Sequence, residues 1–116
     1  MIQLSASMRV FLHVEPIDFR NGIDGLAGAC RCRLKRDPMS GAAFLFINRR
    51  RTSIKILVYD GQGFWLCQKR LSERTFKFWP RNDVTFSAPQ IQVLLYNGNP
   101  TGSQIAPAWK ALPGTI

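Results

Sequence analysis

The chain has 116 residues, 46% hydrophobic and 20% charged, which is enough for one core and too few for two domains of ordinary size. Nine glycines and seven prolines stand near average usage, and with this apolar fraction they exclude a disordered or collagen-like chain. Sixteen Lys and Arg against seven Asp and Glu leave a net charge of +9, and such a surface gains binding free energy when it displaces the counterions of a polyanion.

The excess is concentrated. Residues 31–81 hold thirteen basic side chains against three carboxylates, a balance of +10. No apolar run approaches the roughly 18 residues of a membrane span, and no basic segment followed by an apolar leader opens the sequence. The expected compartment is the cytoplasm, with no membrane partner. Cys30, Cys32 and Cys67 match neither a disulfide framework nor a zinc spacing, so they are expected as reduced thiols.

Residues 9–14 alternate, with Val10, Leu12 and Val14 on one face and Arg9, Phe11 and His13 on the other, the period of a strand. From Asn21 the period changes. Ile23, Leu26, Ala27, Cys30 and Leu34 recur at steps of three and four, predicting a helix over 22–36 with Asn21 as N-cap, Asp24 reaching back to it, and Asp37-Pro38 as the stop. Gly25 and Gly28 weaken that helix by roughly 1 kcal/mol each relative to alanine, which predicts close packing at both. Residues 43–47 form a continuous apolar run of strand length, followed at once by Arg49-Arg50-Arg51. Ile54, Ile56 and Val58 alternate with Lys55, Leu57 and Tyr59, and Asp60-Gly61-Gln62-Gly63 marks a hairpin into residues 64–70. These segments predict a three-stranded antiparallel meander with the triple arginine at its first turn. Phe76, Phe78 and residues 84–86 offer further short strands. Ser87-Ala88-Pro89-Gln90 has the pattern of a capping box with proline in the first turn, so a short helix follows, ended by Gly98. Residues 99–116 read as an irregular tail in which Trp109 alone is expected to dock.

The strongest candidate for chemistry is the basic hairpin. Arg49, Arg50 and Arg51 at a turn, with Lys55, Lys69 and Arg70 on adjoining strands, would set guanidinium forks and ammonium groups on one end of a small sheet, where a phosphate backbone fits. Three adjacent like charges repel, and a turn supplies no structural reason for them. Trp65 and Trp79 would suit base stacking if exposed, and core packing if not. Asp18, Asp24 and Asp60 are the carboxylates that a two-metal nuclease would need to converge, although Asp24 also reads as a helix cap and Asp60 as a turn residue. His13, the single histidine, has no partner at motif spacing and reads as a strand histidine with a local hydrogen bond. The thiols of Cys30 and Cys32, about 200° apart on a helix, cannot grip one ion. No catalytic group, metal site or cofactor motif is expected.

The order of segments is itself informative. Ile17-Asp18-Phe19-Arg20-Asn21-Gly22-Ile23-Asp24-Gly25-Leu26-Ala27, Asp37-Pro38-Met39-Ser40-Gly41, Phe44-Leu45-Phe46-Ile47-Asn48-Arg49-Arg50-Arg51, Tyr59-Asp60-Gly61-Gln62-Gly63-Phe64 and Lys69-Arg70-Leu71 resemble the protein of the second open reading frame in the insertion sequence sixty-six family of bacterial transposable elements. The resemblance runs from about Met8 to Gly98, with departures at Phe19, Asn21 and Arg74. It implies a small accessory protein encoded beside a transposase and involved in transposition. The expectation is therefore an α+β domain over residues 1–98, an antiparallel sheet packed on one main helix, without catalysis of its own. Its expected partners are DNA, contacted through Arg49, Arg50, Arg51, Lys55, Lys69 and Arg70, and the element's transposase, with Asp18, Arg20 and Asp24 as a family motif of open role.

Overall fold

The computed structural model describes residues 8–82 and 86–101. Four strands, β1 (Val10–Leu12), β2 (Ala43–Ile47), β3 (Ser53–Tyr59) and β4 (Phe64–Arg70), form one sheet in the order β1-β2-β3-β4. Helix α1 (Gly22–Cys32) lies between β1 and β2, preceded by a 3-10 turn (Phe19–Asn21), and α2 (Ala88–Leu95) follows β4. The fold is α+β, with the meander of β2, β3 and β4 as read from the sequence.

The sheet is mixed, however, because β1 pairs with β2 in parallel. The segment between them is a crossover through α1, long enough to bring the chain back to the same end, whereas antiparallel neighbours need only a hairpin. The pairing outlasts the short strand. His13 N donates to Leu45 O at 2.8 Å and Ile17 N to Ile47 O at 2.9 Å, so residues 13–17 stay against β2.

All five residues of β2 are buried, and alternation divides the core in two. Val10, Leu12, Leu45, Ile47, Ile54 and Ile56 pack on one face with Phe76, Trp79, Ile91 and Leu94. Phe44, Phe46 and Leu57 pack on the other with Leu26, Ala27 and Cys30 of α1. Each large apolar side chain so buried contributes roughly 1.5–3 kcal/mol. The face of β1 carrying Phe11 and His13 is therefore a second core face beneath α1. Burial also pushes the Cys30 thiol up to about 12, since the thiolate would be stranded in an apolar site.

Helix boundaries depart from the periodic reading at three places. At its start, Asn21 makes no side-chain cap; Asp18 caps the 3-10 turn instead, accepting from Arg20 N at 2.9 Å, and Gly22 at φ 64 passes the chain into α1. At its end, α1 stops at Cys32 rather than 36. Lys35 takes a left-handed φ of 55, while Leu34 N and Arg36 N donate back to Ala29 O and Cys30 O. That reversal lets Leu34 pack on the core and separates the crowded cations that a continued helix would stack. The glycines differ as well: a Cβ at Gly25 would collide with Asn21 Cβ, as expected, but one at Gly28 meets nothing within 4 Å.

The second helix begins as its pattern predicts, Ser87 Oγ accepting from Gln90 N and Gln90 Oε1 from Ser87 N. Its stop is Asn97 rather than Gly98. Asn97 holds φ 62, with Asn97 N donating to Leu94 O and Gly98 N to Val93 O, the Schellman pattern. The same side chain accepts from Lys77 N at 2.9 Å and donates to Thr75 O at 3.0 Å, pinning the segment after β4. Phe76 and Phe78 lie in that segment outside any strand, because Phe76 turns into the core and the segment is held by Asn97 and by the β2–β3 turn instead of pairing with β4. Of residues 84–86, only Phe86 is described, and it is buried outside any strand. Pro100 is buried and its carbonyl accepts from Gln90 Nε2 at 3.2 Å. Trp109 falls outside the described residues.

Replacing Asn97 by alanine removes both tethers and strains the left-handed position, and should cost about 2 kcal/mol in urea unfolding; Asn97→Gly, which keeps the backbone freedom, should cost about 1. Alkylation at pH 8 followed by peptide mass mapping should modify exposed Cys32 readily and Cys30 only once the protein is denatured.

Candidate nucleic-acid interface

The turn between β2 and β3 is built by Asn48. Its Oδ1 accepts from Thr52 N at 2.9 Å and Ser53 N at 3.0 Å, its Nδ2 donates to Thr52 Oγ1 at 3.0 Å, and its backbone carbonyl accepts from Arg51 N at 3.0 Å. The backbone locks the turn to the segment after β4, with Leu71 N donating to Thr52 O and Phe76 N to Arg51 O. Arg49 and Arg50 are exposed and Arg51 is half-buried at φ 60, a conformation that costs a branched or long side chain. None of the three guanidiniums is in an ion pair among the described residues, where the only pairs are Arg20 with Asp18 and Arg33 with Glu15.

Register decides where the other three cations lie. Arg70 pairs with Ser53, which sets it at the same end as the triple arginine, exposed. Lys55 and Lys69 stand on opposite faces, since Lys69 pairs with Ile54 and Lys55 with Gln68. Lys55 Nζ sits 4.8 Å from the Phe19 ring centre and Lys69 Nζ 4.0 Å from that of Tyr96, contacts that attract a cation to a ring face. Desolvation lowers the Lys69 pKa below its ordinary value. So four of the six cations gather at one end and two flank it. The tether from Phe76 to Arg51 also draws the exposed Arg74 and Lys77 toward that end. No local pattern announces those two, because a contact across 25 residues places them.

Asp18 and Arg20 form a local lock. The Asp18 carboxylate accepts from Arg20 Nε at 3.0 Å and Nη2 at 2.8 Å, and the Arg20 hydrogen bonds hold its pKa down to about 2. Asp24 is exposed in the first turn of α1, where an anion favours the helix end. Asp60 closes its hairpin, Oδ1 accepting from Gln62 N and Gly63 N and Oδ2 from Trp65 Nε1, bonds that lower its pKa. Among the described residues no three His, Cys, Asp or Glu side chains converge to hold a metal, so Asp18, Asp24 and Asp60 do not form the cluster a two-metal reaction needs. Of the two candidate stacking rings, Trp79 is core, its Nε1 donating to Val14 O at 2.9 Å, and Trp65 is half exposed.

A cleft of about 620 Å³ opens beside the arginine end, between α1 and residues 13–17. His13, Glu15, Gly28, Cys32, Arg33 and Arg49 are among its lining. Glu15 accepts from Arg33 Nη1 at 3.1 Å. His13 is 5% exposed and tilts against Phe46; its Nδ1 lies 2.7 Å from Glu15 O, the local bond expected of a strand histidine. The sequence reading did not assemble this cleft, whose walls meet only through the crossover.

Comparison with known proteins agrees with this picture of a small accessory domain. The family model described as IS66 Orf2 like protein matches residues 8–103. Two relatives come from Sinorhizobium fredii, both named only as uncharacterized proteins. The chain is 34% identical to y4jC over 83 residues, covering 72% of this chain and 71% of the relative, and 32% identical to y4hO over 98 residues, covering 82% and 84%. No solved structure matches significantly. The segment order, the matched span and these relatives together place the chain in the IS66 Orf2-like family, the accessory proteins of an insertion-sequence family.

Proposed function

We propose that this insertion-sequence accessory protein acts without catalysis of its own, by gripping the phosphate backbone of DNA with the arginine end of its sheet while transposition complexes assemble. One observation carries the reading. The β2–β3 turn is held by Asn48 and by backbone bonds, so the side chains of Arg49, Arg50 and Arg51 are not needed to hold it; none is in an ion pair among the described residues, and Asp18 exerts only a longer-range attraction on Arg49. Crowded like charges that the turn does not need suit a polyanionic partner. Arg70, Arg74 and Lys77 widen the same end, and Lys55 and Lys69 are held near it on aromatic rings. The described helices carry no recognisable groove-reading motif, so contact with the backbone, tolerant of sequence, is the expected mode.

A partner protein, the transposase in particular, has its own candidate surface. Strand β4 is an edge of the sheet, and the amides and carbonyls of Phe64, Leu66, Gln68 and Arg70 point away from β3, since Leu71 N and Gly63 O are the groups that bond toward it. An added strand would pair there. A protein-interaction module without DNA affinity would retain the transposase in a pull-down and show no gel shift.

Binding to duplex DNA, measured by fluorescence anisotropy across salt concentrations, should weaken with a log-log slope of about 0.9 per phosphate neutralised. An affinity indifferent to salt would remove the reading. A variant with Arg49→Ser, Arg50→Ser and Arg51→Gly should lose about two or three phosphate equivalents from that slope. It should also melt no lower than the parent, because glycine relieves the left-handed strain at residue 51. Incubation with plasmid and Mg²⁺ or Mn²⁺ should leave the DNA intact; nicking that disappears in Asp18→Ala or Asp60→Ala would contradict a non-catalytic role.

A further inference from the structure

We infer that the cleft between α1 and residues 13–17 is a binding site for a single nucleotide of a DNA strand, with the phosphate on Arg49 and Arg33 and the base against Gly28 and His13. The inference extends the DNA-binding reading to a second, more specific contact. Three observations lead to it.

The first is Gly28. Interior glycine is among the costliest residues in a helix, and here the fold does not require it: its backbone is not left-handed and a Cβ would meet nothing within 4 Å. Gly25, three residues earlier, is explained by Asn21. A bare helix surface facing an open cleft is what a flat ligand uses to approach a backbone closely.

The second is His13. Glu15 O can only accept, so the short contact assigns the proton to Nδ1, and in the neutral ring Nε2 is left as a lone-pair acceptor. That nitrogen has no partner among the described residues, although the residue is 5% exposed and lines the cleft. A buried acceptor without a donor is costly, and a base N–H supplies one.

The third is the mixture of charges. Arg33 and Arg49 present guanidinium donors suited to phosphate oxygens, beside the acceptors His13 Nε2 and Glu15. A purely anionic ligand such as sulfate has no donor for those acceptors, whereas a nucleotide carries an anionic end and a donor-bearing base. A space of about 620 Å³ lies in the range of small-ligand sites, and Pro16, Ile17 and Ala29 supply apolar walls.

The test uses the full chain, thymidine 5′-monophosphate and a 5′-phosphorylated tetranucleotide, read by titration NMR at a salt concentration that abolishes duplex binding. Both probes should saturate, shift resonances of residues 13–17 and 25–33, and slow alkylation of Cys32. Inorganic phosphate should bind at least tenfold more weakly. Gly28→Ala should weaken the probes several-fold while raising the melting temperature, and Gly28→Leu should weaken them at least tenfold. If Gly28→Leu fails to fold, Gly28→Ala decides, because its stability and its binding are expected to move in opposite directions. Unchanged affinity in Gly28→Ala and Gly28→Leu, equal binding of inorganic phosphate, or displacement of the probes by an acidic peptide would each overturn the assignment. Both glycine variants leave the charge unaltered, so the salt slope on duplex DNA stays the same in them. Loss of the cleft and loss of the arginine end are thus separately visible.

Discussion

A strand with no wet face organises this molecule. Because all five residues of β2 are buried, the sheet must be covered twice, and the rest of the chain supplies the covers. Phe44 and Phe46 demand α1, while Leu45 and Ile47 demand α2 and the segment bearing Phe76 and Trp79. Neither cover is self-sufficient. An isolated helix as short as α2, eight residues, is marginal in water, and it persists here through its capping box, through Asn97 and through Ile91 and Leu94 in the core.

Covering both faces has an electrostatic consequence. Most large apolar side chains are taken up by two clusters, so much of the basic charge falls on turns, strand ends and the end of α1. The β2–β3 turn takes three arginines because Asn48 does the structural work there. Lys55 and Lys69, which fall within strands, lie along opposite faces and set their ammonium groups over Phe19 and Tyr96. The positive field is thereby gathered toward one end of the sheet and toward the cleft that Arg49 shares with it. The proposed contact of this insertion-sequence accessory protein with DNA rests on that arrangement.

The two glycines of α1 show how one residue type answers different demands. Gly25 is fixed by packing, since Asn21 occupies the place of a Cβ. Gly28 faces open space, and no contact among the described residues accounts for its cost to the helix.

Local pattern was sufficient for the meander, the start of α2 and the position of the triple arginine, because strand alternation, the Asp60-Gly61-Gln62-Gly63 turn and the Ser87 capping box are all interactions among near neighbours in sequence. The family was legible for a related reason: it is carried by the order of such segments. What local pattern could not determine were features settled by distant partners. The parallel setting of β1 depends on the path of the crossover, the end of α1 on where Leu34 must pack, and the stop at Asn97 on its bonds to residues 75 and 77. The site divides in the same way. A run of arginines at a turn is visible in the sequence, but register alone parts Lys55 from Lys69, a long-range backbone bond draws in Arg74 and Lys77, and the cleft exists only after α1 has folded over residues 13–17. Charge and periodicity act between neighbours and can be read along the chain, whereas burial and cavity shape arise from what the folded chain brings together.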